Sequence, residues 1–229
     1  FNALTKSGIA AENYPFCTIE PNIGIVEVPD ARMQALADIV KPQRMQYATT
    51  EFVDIAGLVA GASKGEGLGN QFLANIRETD GIVNVVRCFE DDNVVHVAGK
   101  VDPISDIATI VTELALADLT TVEKPKERNV KLVRSGDKDA AKLGELLVQV
   151  AACLNEGKPA RTLKLDQAQR ALLKPLCLLT MKPVMYVANV AEKGFANNPL
   201  LTRVEEYAAH EGAPVVAICA ALASEIAVL

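Results

Sequence analysis

Short apolar, β-branched runs alternate with stretches of helical periodicity along most of the chain. The runs predict strands at 24–28, 51–54, 82–88, 184–189 and 215–219. Between them, apolar residues recurring three or four positions apart predict helices near 31–40, 71–78 and 199–211. Strands alternating with helices are typical of an α/β fold, with a mainly parallel sheet flanked by helices.

The strand signals stop between about 106 and 174, where the periodicity is helical. The apolar positions are Ile107, Ile110, Val111, Leu114 and Leu116, followed by Ala140, Leu143, Leu146, Leu147, Val150 and Leu154. Ser135-Gly136-Asp137 predicts a turn with a helix cap between the two sets. We therefore expect 106–174 to be an inserted antiparallel helical hairpin, with Pro125 making its first helix imperfect. Residues 1–105 and 175–229 would then form the sheet domain.

One predicted strand ends in side chains suited to a phosphate and metal site. The run 49–53 leads into Asp54-Ile55-Ala56-Gly57, a D-x-x-G motif. Ligands bind at the carboxyl ends of parallel strands, and Mg²⁺ takes one or two such oxygens together with substrate phosphates. A glycine amide can also approach a phosphate closely. Because D-x-x-G is common by chance, an Asp that only caps the following loop is the alternative.

Two further strands end in residues suited to a base. Asn189 and Glu192 place an amide and a carboxylate three positions apart, a pair that can bind a purine edge. The run 215–221 ends in small residues that would let backbone amides approach a base. Each of these segments alone is weak evidence for a nucleotide site. Their order along the chain strengthens that interpretation.

Two longer sequence segments resemble those of a known family. Residues 13–18 are N-Y-P-F-C-T, and residues 54–70 are D-I-A-G-L-V-A-G-A-S-K-G-E-G-L-G-N. They resemble switch I and switch II of the Obg-like ATPase (YchF) family, a branch of the translation-factor-type P-loop GTPases. The similarity runs from Phe1 to Leu229. It implies a P-loop NTPase (G-domain) fold that binds ATP, or GTP, with Mg²⁺.

The resemblance also implies a phosphate loop. The pattern G-x-x-x-x-G-K-[ST] occurs nowhere in the 229 residues. Residues 1–5 resemble the first helix after that loop, so we expect the loop just ahead of Phe1 and a small TGS domain beyond Leu229. Without the first strand, which belongs inside the sheet, strands 51–54 and 82–88 would lack their shared neighbour.

Phosphate-side roles follow from the resemblance. Thr18 and Asp54 are expected at Mg²⁺ and Gly57 at the γ-phosphate, although Thr18 could instead be an ordinary loop residue that caps a turn. Leu58 stands where many GTPases place a water-orienting Gln, and an aliphatic side chain cannot orient water by hydrogen bonding. The resemblance implies that His96 assists hydrolysis, with a packed structural histidine as the alternative.

Base-side roles follow in the same way. The N-K-x-D motif, whose Asp accepts from guanine N1 and N2, is replaced here by Asn189-Val190-Ala191-Glu192. Adenine has no such donor pair, and in the family this change accompanies a preference for ATP. Asn189, Val190 and Glu192 are therefore expected at adenine, with Cys219 and Ala220 lining its pocket.

Composition limits the location of the protein. No apolar run reaches the length of a membrane span, and the start lacks the basic and apolar blocks of a signal peptide. Five cysteines without C-x-x-C spacing indicate reduced, mostly buried thiols. These features favour a cytoplasmic protein without membrane contact.

The net charge and the family resemblance together limit the classes of binding partner that we expect. A net charge of −6 gives no global attraction to nucleic acid, so DNA is not expected and RNA contact would need a local basic patch. The resemblance implies a monomeric, slow ATP hydrolase that acts in translation or stress response. It would contact either the large ribosomal subunit or the assembled ribosome. The alternatives are a nucleotide-gated binding module in which hydrolysis is incidental, and a GTPase.

Overall fold

The helices and strands come from a computed structural model, which describes residues 1–5, 21–55, 61, 68–91, 99–134 and 138–228. In chain order they are α1 (Asn2–Thr5), β1 (Asn22–Glu27), α2 (Ala31–Val40), β2 (Thr49–Asp54), α3 (Leu68–Glu78), β3 (Ile82–Arg87), α4 (Pro103–Arg134), α5 (Lys138–Asn155), α6 (Gln167–Leu173), β4 (Val184–Asn189), α7 (Pro199–Glu211), β5 (Val215–Ile218) and α8 (Ala220–Val228). Short 3-10 helices lie at Ala160–Thr162, Lys174–Leu176 and Leu179–Met181. The chain divides into two compact units, Phe1–Ala56 with Ala220–Leu229, and Gly57–Cys219.

The first unit is built on an antiparallel pair of strands. β1 and β2 pair from Asn22 opposite Asp54 to Glu27 opposite Thr49. Both strands were predicted, but their antiparallel pairing was not, because an apolar pattern marks a strand without fixing its direction. Gly24 of β1 is buried, and a Cβ there would collide with the side chain of Thr5 in α1. A glycine is therefore required where α1 packs on β1.

The second unit contains a parallel sheet in the order β3-β4-β5. Residues 82–87 lie opposite 184–189, and residues 186–189 lie opposite 215–218. The predicted strands match these to within one residue, and the helices around them confirm the α/β class. Among the described residues β2 and β3 belong to different sheets.

α4 takes part in two hydrophobic clusters of the second unit. Near its start, Ile107 and Val111 pack with buried residues of β3, β4 and α7. Further along, Ala115 and Val122 pack with buried residues of α5 and of the segment that follows it. Because protein interiors are close-packed, a displacement of α4 disturbs both clusters.

The predicted helical hairpin is formed by α4 and α5, which pack along each other. The buried amide of Asn129, near the end of α4, donates to the carbonyl of Ala140, near the start of α5. α4 stays helical through Pro125, so the expected imperfection does not interrupt it. The turn at 135–137 lies outside the described residues, and the division into domains at 106 and 174 stays a prediction. Neither α4 nor any other described helix is long and apolar enough to cross a membrane.

Asp118 fixes α4 to the segment that precedes β4. Its fully buried carboxylate accepts hydrogen bonds from the N–H of Leu179 at 2.8 Å, and from the N–H and hydroxyl of Thr180 at 2.7 Å each. Burial raises the pKa of Asp118, while these donors and the charge of Arg77 act in the opposite sense. Since β4 begins four residues after Thr180, α4 helps to determine where this strand starts.

Glu211 joins β4 and α7 in a similar way. Its carboxylate accepts from Arg161 at 2.9 Å, from the hydroxyl of Tyr186 at 2.9 Å and from that of Tyr207 at 3.2 Å. Burial raises the pKa of Tyr186, and the charge of Glu211 raises it further. α7 therefore holds β4 directly, and α4 holds the segment that precedes it.

Candidate nucleotide site

The carboxyl ends of β3, β4 and β5 lie side by side at one edge of the parallel sheet. The N–H of Cys88 donates to the carbonyl of Asn189 at 2.8 Å, and the N–H of Val190 donates to the carbonyl of Ile218 at 2.8 Å. The ladder thus continues one residue past the strands and brings Asn189, Val190 and Cys219 together. In open α/β sheets this is the edge at which ligands bind.

Asn198 holds the loop that follows β4. Its amide nitrogen donates to the carbonyls of Cys88 and Gly194, both at 2.9 Å, while its amide oxygen accepts from the first N–H groups of α7. At Gly194 a Cβ would lie 3.1 Å from the backbone of Ala191, so the turn is tight. Sequence analysis missed Asn198, although an Asn directly before the helix-starting Pro199 is a recognisable N-cap signal.

Val190 and Glu192 differ sharply in exposure. Val190 is 1% exposed, and its side chain packs in the hydrophobic cluster with Val86 and Val204. Glu192 is exposed, in the loop that Asn198 holds. The burial of Val190 means that a lysine at this position would have to bring its ammonium out of the core or leave it buried. The roles of both residues at a base stay predictions.

The thiols at this edge are packing groups. Burial raises the pKa of Cys88 to about 11, so it remains a neutral thiol near neutral pH. Cys219 is 7% exposed and directly follows β5. Ala220 is the first residue of α8 and is partly buried. The roles of Cys219 and Ala220 at a base stay predictions.

Asp54 is the predicted metal ligand that the structure describes. It is the last residue of β2 in the first unit and is partly buried. The described ranges contain no group of three or more His, Cys, Asp or Glu side chains that could hold a metal ion. Mg²⁺ in a nucleotide site needs only one or two protein oxygens besides the phosphates, and a carboxylate at a strand end has the right chemistry.

Thr18, Gly57 and His96 lie outside the described residues, so their roles stay predictions. The nearest described residue after the D-x-x-G motif is Gly61, whose N–H donates to the carboxylate of Glu113 in α4 at 2.7 Å. Glu113 is 5% exposed. Sequence analysis did not single it out, because a glutamate in a helical pattern usually faces water.

A known protein family matches the part of the chain that contains most of these elements. The sequence profile of the family described as 50S ribosome-binding GTPase matches residues 1–189, which include β1 to β4 and the D-x-x-G motif. The chain belongs to this family. Its parallel sheet, with the predicted base residues at the carboxyl edge, is thus the sheet of a GTPase domain.

Comparison with individual proteins confirms the resemblance to the Obg-like (YchF) family. The chain is 59% identical over all 229 residues to the ribosome-binding ATPase YchF of Haemophilus influenzae, and spans 63% of that protein. It is 52% identical over 232 aligned positions to that of Bacillus subtilis, again spanning 63%.

A solved structure supports the fold. The YchF GTPase of Schizosaccharomyces pombe matches the whole chain with a TM-score of 0.80 and 34% identity, and 63% of that protein is covered. The P-loop G-domain fold is therefore confirmed. In each of these comparisons the chain corresponds to less than two thirds of the relative.

Proposed function

We propose that this chain is the nucleotide-binding part of a cytoplasmic, ribosome-associated ATPase that acts as a molecular switch. The observation that carries the proposal is the edge of the parallel sheet, where Asn189 ends β4 beside Cys219. Asn189 is followed by Val190 and Glu192 in place of the Lys and Asp of a guanine site. ATP is therefore the favoured nucleotide, with its adenine at this edge.

The phosphate side of the site uses the other strand ends and switch segments. Asp54 and Thr18 would hold Mg²⁺, and the amide of Gly57 would contact the γ-phosphate. Mg²⁺ supplies charge neutralisation of the phosphates when it is bound. Closure of switch I around the triphosphate and its release after hydrolysis would give the two states of a switch.

Base preference can be tested in an extended protein, defined as this chain with the phosphate loop that the resemblance implies ahead of Phe1. We expect ATP to bind about ten-fold more tightly than GTP, roughly 1.4 kcal/mol, because no residue supplies the aspartate that pairs with guanine N1 and N2. Glu192→Asp should narrow this difference, since the shorter carboxylate stands where N-K-x-D has its Asp. A competition titration with labelled ATP measures both values, and equal or tighter GTP binding by the unaltered protein would refute the proposal.

The burial of Val190 makes Glu192 the better position for this test. A lysine at 190 would disturb the core, so any change in nucleotide affinity would be mixed with lost stability. Lys193→Ala, at an exposed neighbour in the same loop, is the matched control. It should leave the ratio of ATP to GTP affinity unchanged.

Hydrolysis can be tested at His96. In the extended protein, His96→Ala should lower the hydrolysis rate by about ten-fold or more and leave ATP affinity nearly unchanged, as for an interaction made mainly in the transition state. A packed structural histidine would instead lower thermal stability, with rate and affinity falling together. Single-turnover rate, ATP affinity and melting temperature are measured on the one variant. An unchanged rate would remove His96 from the mechanism.

Ribosome contact is assigned to the α4–α5 hairpin. Exposed basic residues lie along the last part of α4 and the first part of α5, at Lys124, Lys126, Arg128 and Lys142. Glu123, Glu127 and Asp139 are exposed among them, and Lys142 pairs with Asp139 at 3.9 Å, so the charge of this surface is mixed. Contact with ribosomal RNA phosphates would therefore use individual cations of the hairpin.

A further inference from the structure

Strand β1 of the first unit has an open hydrogen-bonding edge. The N–H of Val28 donates to the carbonyl of Ala48 at 2.8 Å, so these residues extend the ladder of β1 and β2 as a hydrogen-bonded pair. Because hydrogen-bonded and non-hydrogen-bonded pairs alternate in an antiparallel ladder, the backbone groups of Ile23, Ile25 and Glu27 point away from β2. Among the described residues β1 pairs with β2 alone. An unpaired edge of this kind is a template for a further strand.

The side chains of the same three residues lie uncovered on one face of β1. Successive side chains of a strand point to opposite faces, so Ile23, Ile25 and Glu27 share a face. Gly24 is on the other face, where it is buried against Thr5 of α1. Ile23 is 60% exposed, Ile25 is 69% exposed, and Glu27 is also exposed. One face of the strand is thus packed, while the other combines outward backbone groups with an apolar row.

The strand that sequence analysis places ahead of Phe1 would not close this edge. It is expected as the shared neighbour of 51–54 and 82–88, so it would pair with the opposite edge of β2. β1 then remains the outer strand of its sheet, and its outward backbone groups stay open to a partner.

The charges beside this edge are those of unpaired carboxylates. Glu51 of β2 lies opposite Ile25, so it shares the exposed face with Glu27. Among the residues that the structure describes, no cation pairs with either glutamate. Arg32, five positions after the end of β1, is already paired with Asp30 at 2.6 Å. A positive side chain on this face would therefore bind favourably, and salt would screen the attraction because both glutamates are exposed.

We propose that the outer edge of β1 binds an extended segment of a partner protein as an added antiparallel strand. The segment carries a basic residue opposite Glu27 and apolar residues opposite Ile25 and Ile23, so it reads basic-x-apolar-x-apolar from its amino end. Backbone hydrogen bonds supply the affinity in such a complex, and the alternate side chains supply the specificity. The inference does not use the nucleotide site, so it stands apart from the proposed function.

A second copy of this chain fits the edge less well. Two antiparallel β1 strands would bring four exposed glutamates, Glu27 and Glu51 of each copy, onto one face of a shared sheet. Each copy also has a net charge of −6, which opposes association of like chains. A separate partner with basic residues meets neither obstacle.

The test measures binding of a labelled peptide to the 229-residue chain by fluorescence anisotropy. The peptide is Thr-Lys-Thr-Val-Thr-Val-Thr, with fluorescein at its amino end and an amidated carboxyl end. Its Lys and two Val residues would lie opposite Glu27, Ile25 and Ile23 and exchange backbone hydrogen bonds with them. N-methylation of both Val nitrogens removes donors that face β1, whereas N-methylation of the two inner Thr nitrogens removes donors that face away.

We expect saturable binding of the unmodified peptide. Methylated Val nitrogens should weaken it by about ten-fold or more, and methylated Thr nitrogens by less than about three-fold. In the protein, Ile25→Lys should weaken binding by about ten-fold or more, because it replaces the apolar contact with a cation. Ile39→Lys is the matched control, since Ile39 is a 79% exposed residue of α2 in the same unit, and it should leave the affinity unchanged.

Charge reversal tests the basic position. Glu27→Lys should weaken binding of the original peptide at low salt, and a peptide with Glu in place of its Lys should restore it. Both differences should shrink at about 0.5 M NaCl, because exposed charges are then screened.

Three results would overturn the proposal. The first is equal loss of binding on methylation of either set of nitrogens, or no binding of the unmodified peptide. The second is equal affinity of Ile25→Lys and Ile39→Lys for the peptide. The third is a dimer in sedimentation that Ile25→Lys dissociates, which would assign the edge to a second copy. The methylated peptides use the unaltered chain, so they decide the question even where Ile25→Lys does not fold. None of these results bears on ATP binding by the extended protein.

Discussion

Replacing Asp118 by alanine is expected to lower the free energy of unfolding of this chain by about 3–5 kcal/mol. The carboxylate is fully buried and accepts from the N–H groups of Leu179 and Thr180 and from the hydroxyl of Thr180. Alanine leaves the two buried N–H groups without an acceptor, and neither is exposed enough to find water. The loss is large against the typical total stability of about 5–15 kcal/mol.

Urea unfolding measures this effect, with the midpoint and slope fitted together so that a change in the denatured state is detected. Asp118→Asn keeps one oxygen acceptor and the volume, and it should lose less stability than Asp118→Ala. Glu123→Ala, an exposed change on the same helix, should shift the free energy by no more than about 0.5 kcal/mol. An Asp118→Ala protein within about 1 kcal/mol of the original would contradict the buried-acceptor account.

The strands of the parallel sheet could be predicted because each is an apolar run whose end is marked by a change in residue type. The hydrogen-bond donors to Asp118 could not be predicted. They lie 61 and 62 positions away, and no local pattern specifies which carboxylate of a helix turns inward. The same holds for Glu113 and Gly61. In both cases the helix period places the residue on a face, but long-range packing decides what that face meets.

In the candidate site, too, some features follow from local sequence and others depend on long-range packing. Asn189 and Cys219 could be placed together from sequence, because carboxyl ends of neighbouring parallel strands share an edge. The burial of Val190 could not be foreseen, since the residue after a strand can point to either side of the sheet. Its position beside Val86 and Val204 comes from packing against α7, which also explains why the apolar residue is tolerated there.

This chain of 229 residues is expected to turn over no ATP by itself. It contains no G-x-x-x-x-G-K-[ST] pattern, and the amides and lysine of that loop provide most of the interaction with the β- and γ-phosphates. Residues at the sheet edge would then hold only the base. We expect the extended protein to bind ATP at least about 100-fold more tightly, roughly 2.7 kcal/mol, and to regain slow hydrolysis.

Calorimetric titration of ATP and release of inorganic phosphate, measured on both proteins at the same concentration of Mg²⁺, test this expectation. The control is the extended protein with the lysine of its phosphate loop replaced by alanine, which should bind and hydrolyse as poorly as the 229-residue chain. Phosphate release by the purified chain that rises with its concentration and persists after further purification would contradict the assignment. The phosphate-binding groups would then have to be sought within the 229 residues, beginning with the glycines of 61–69.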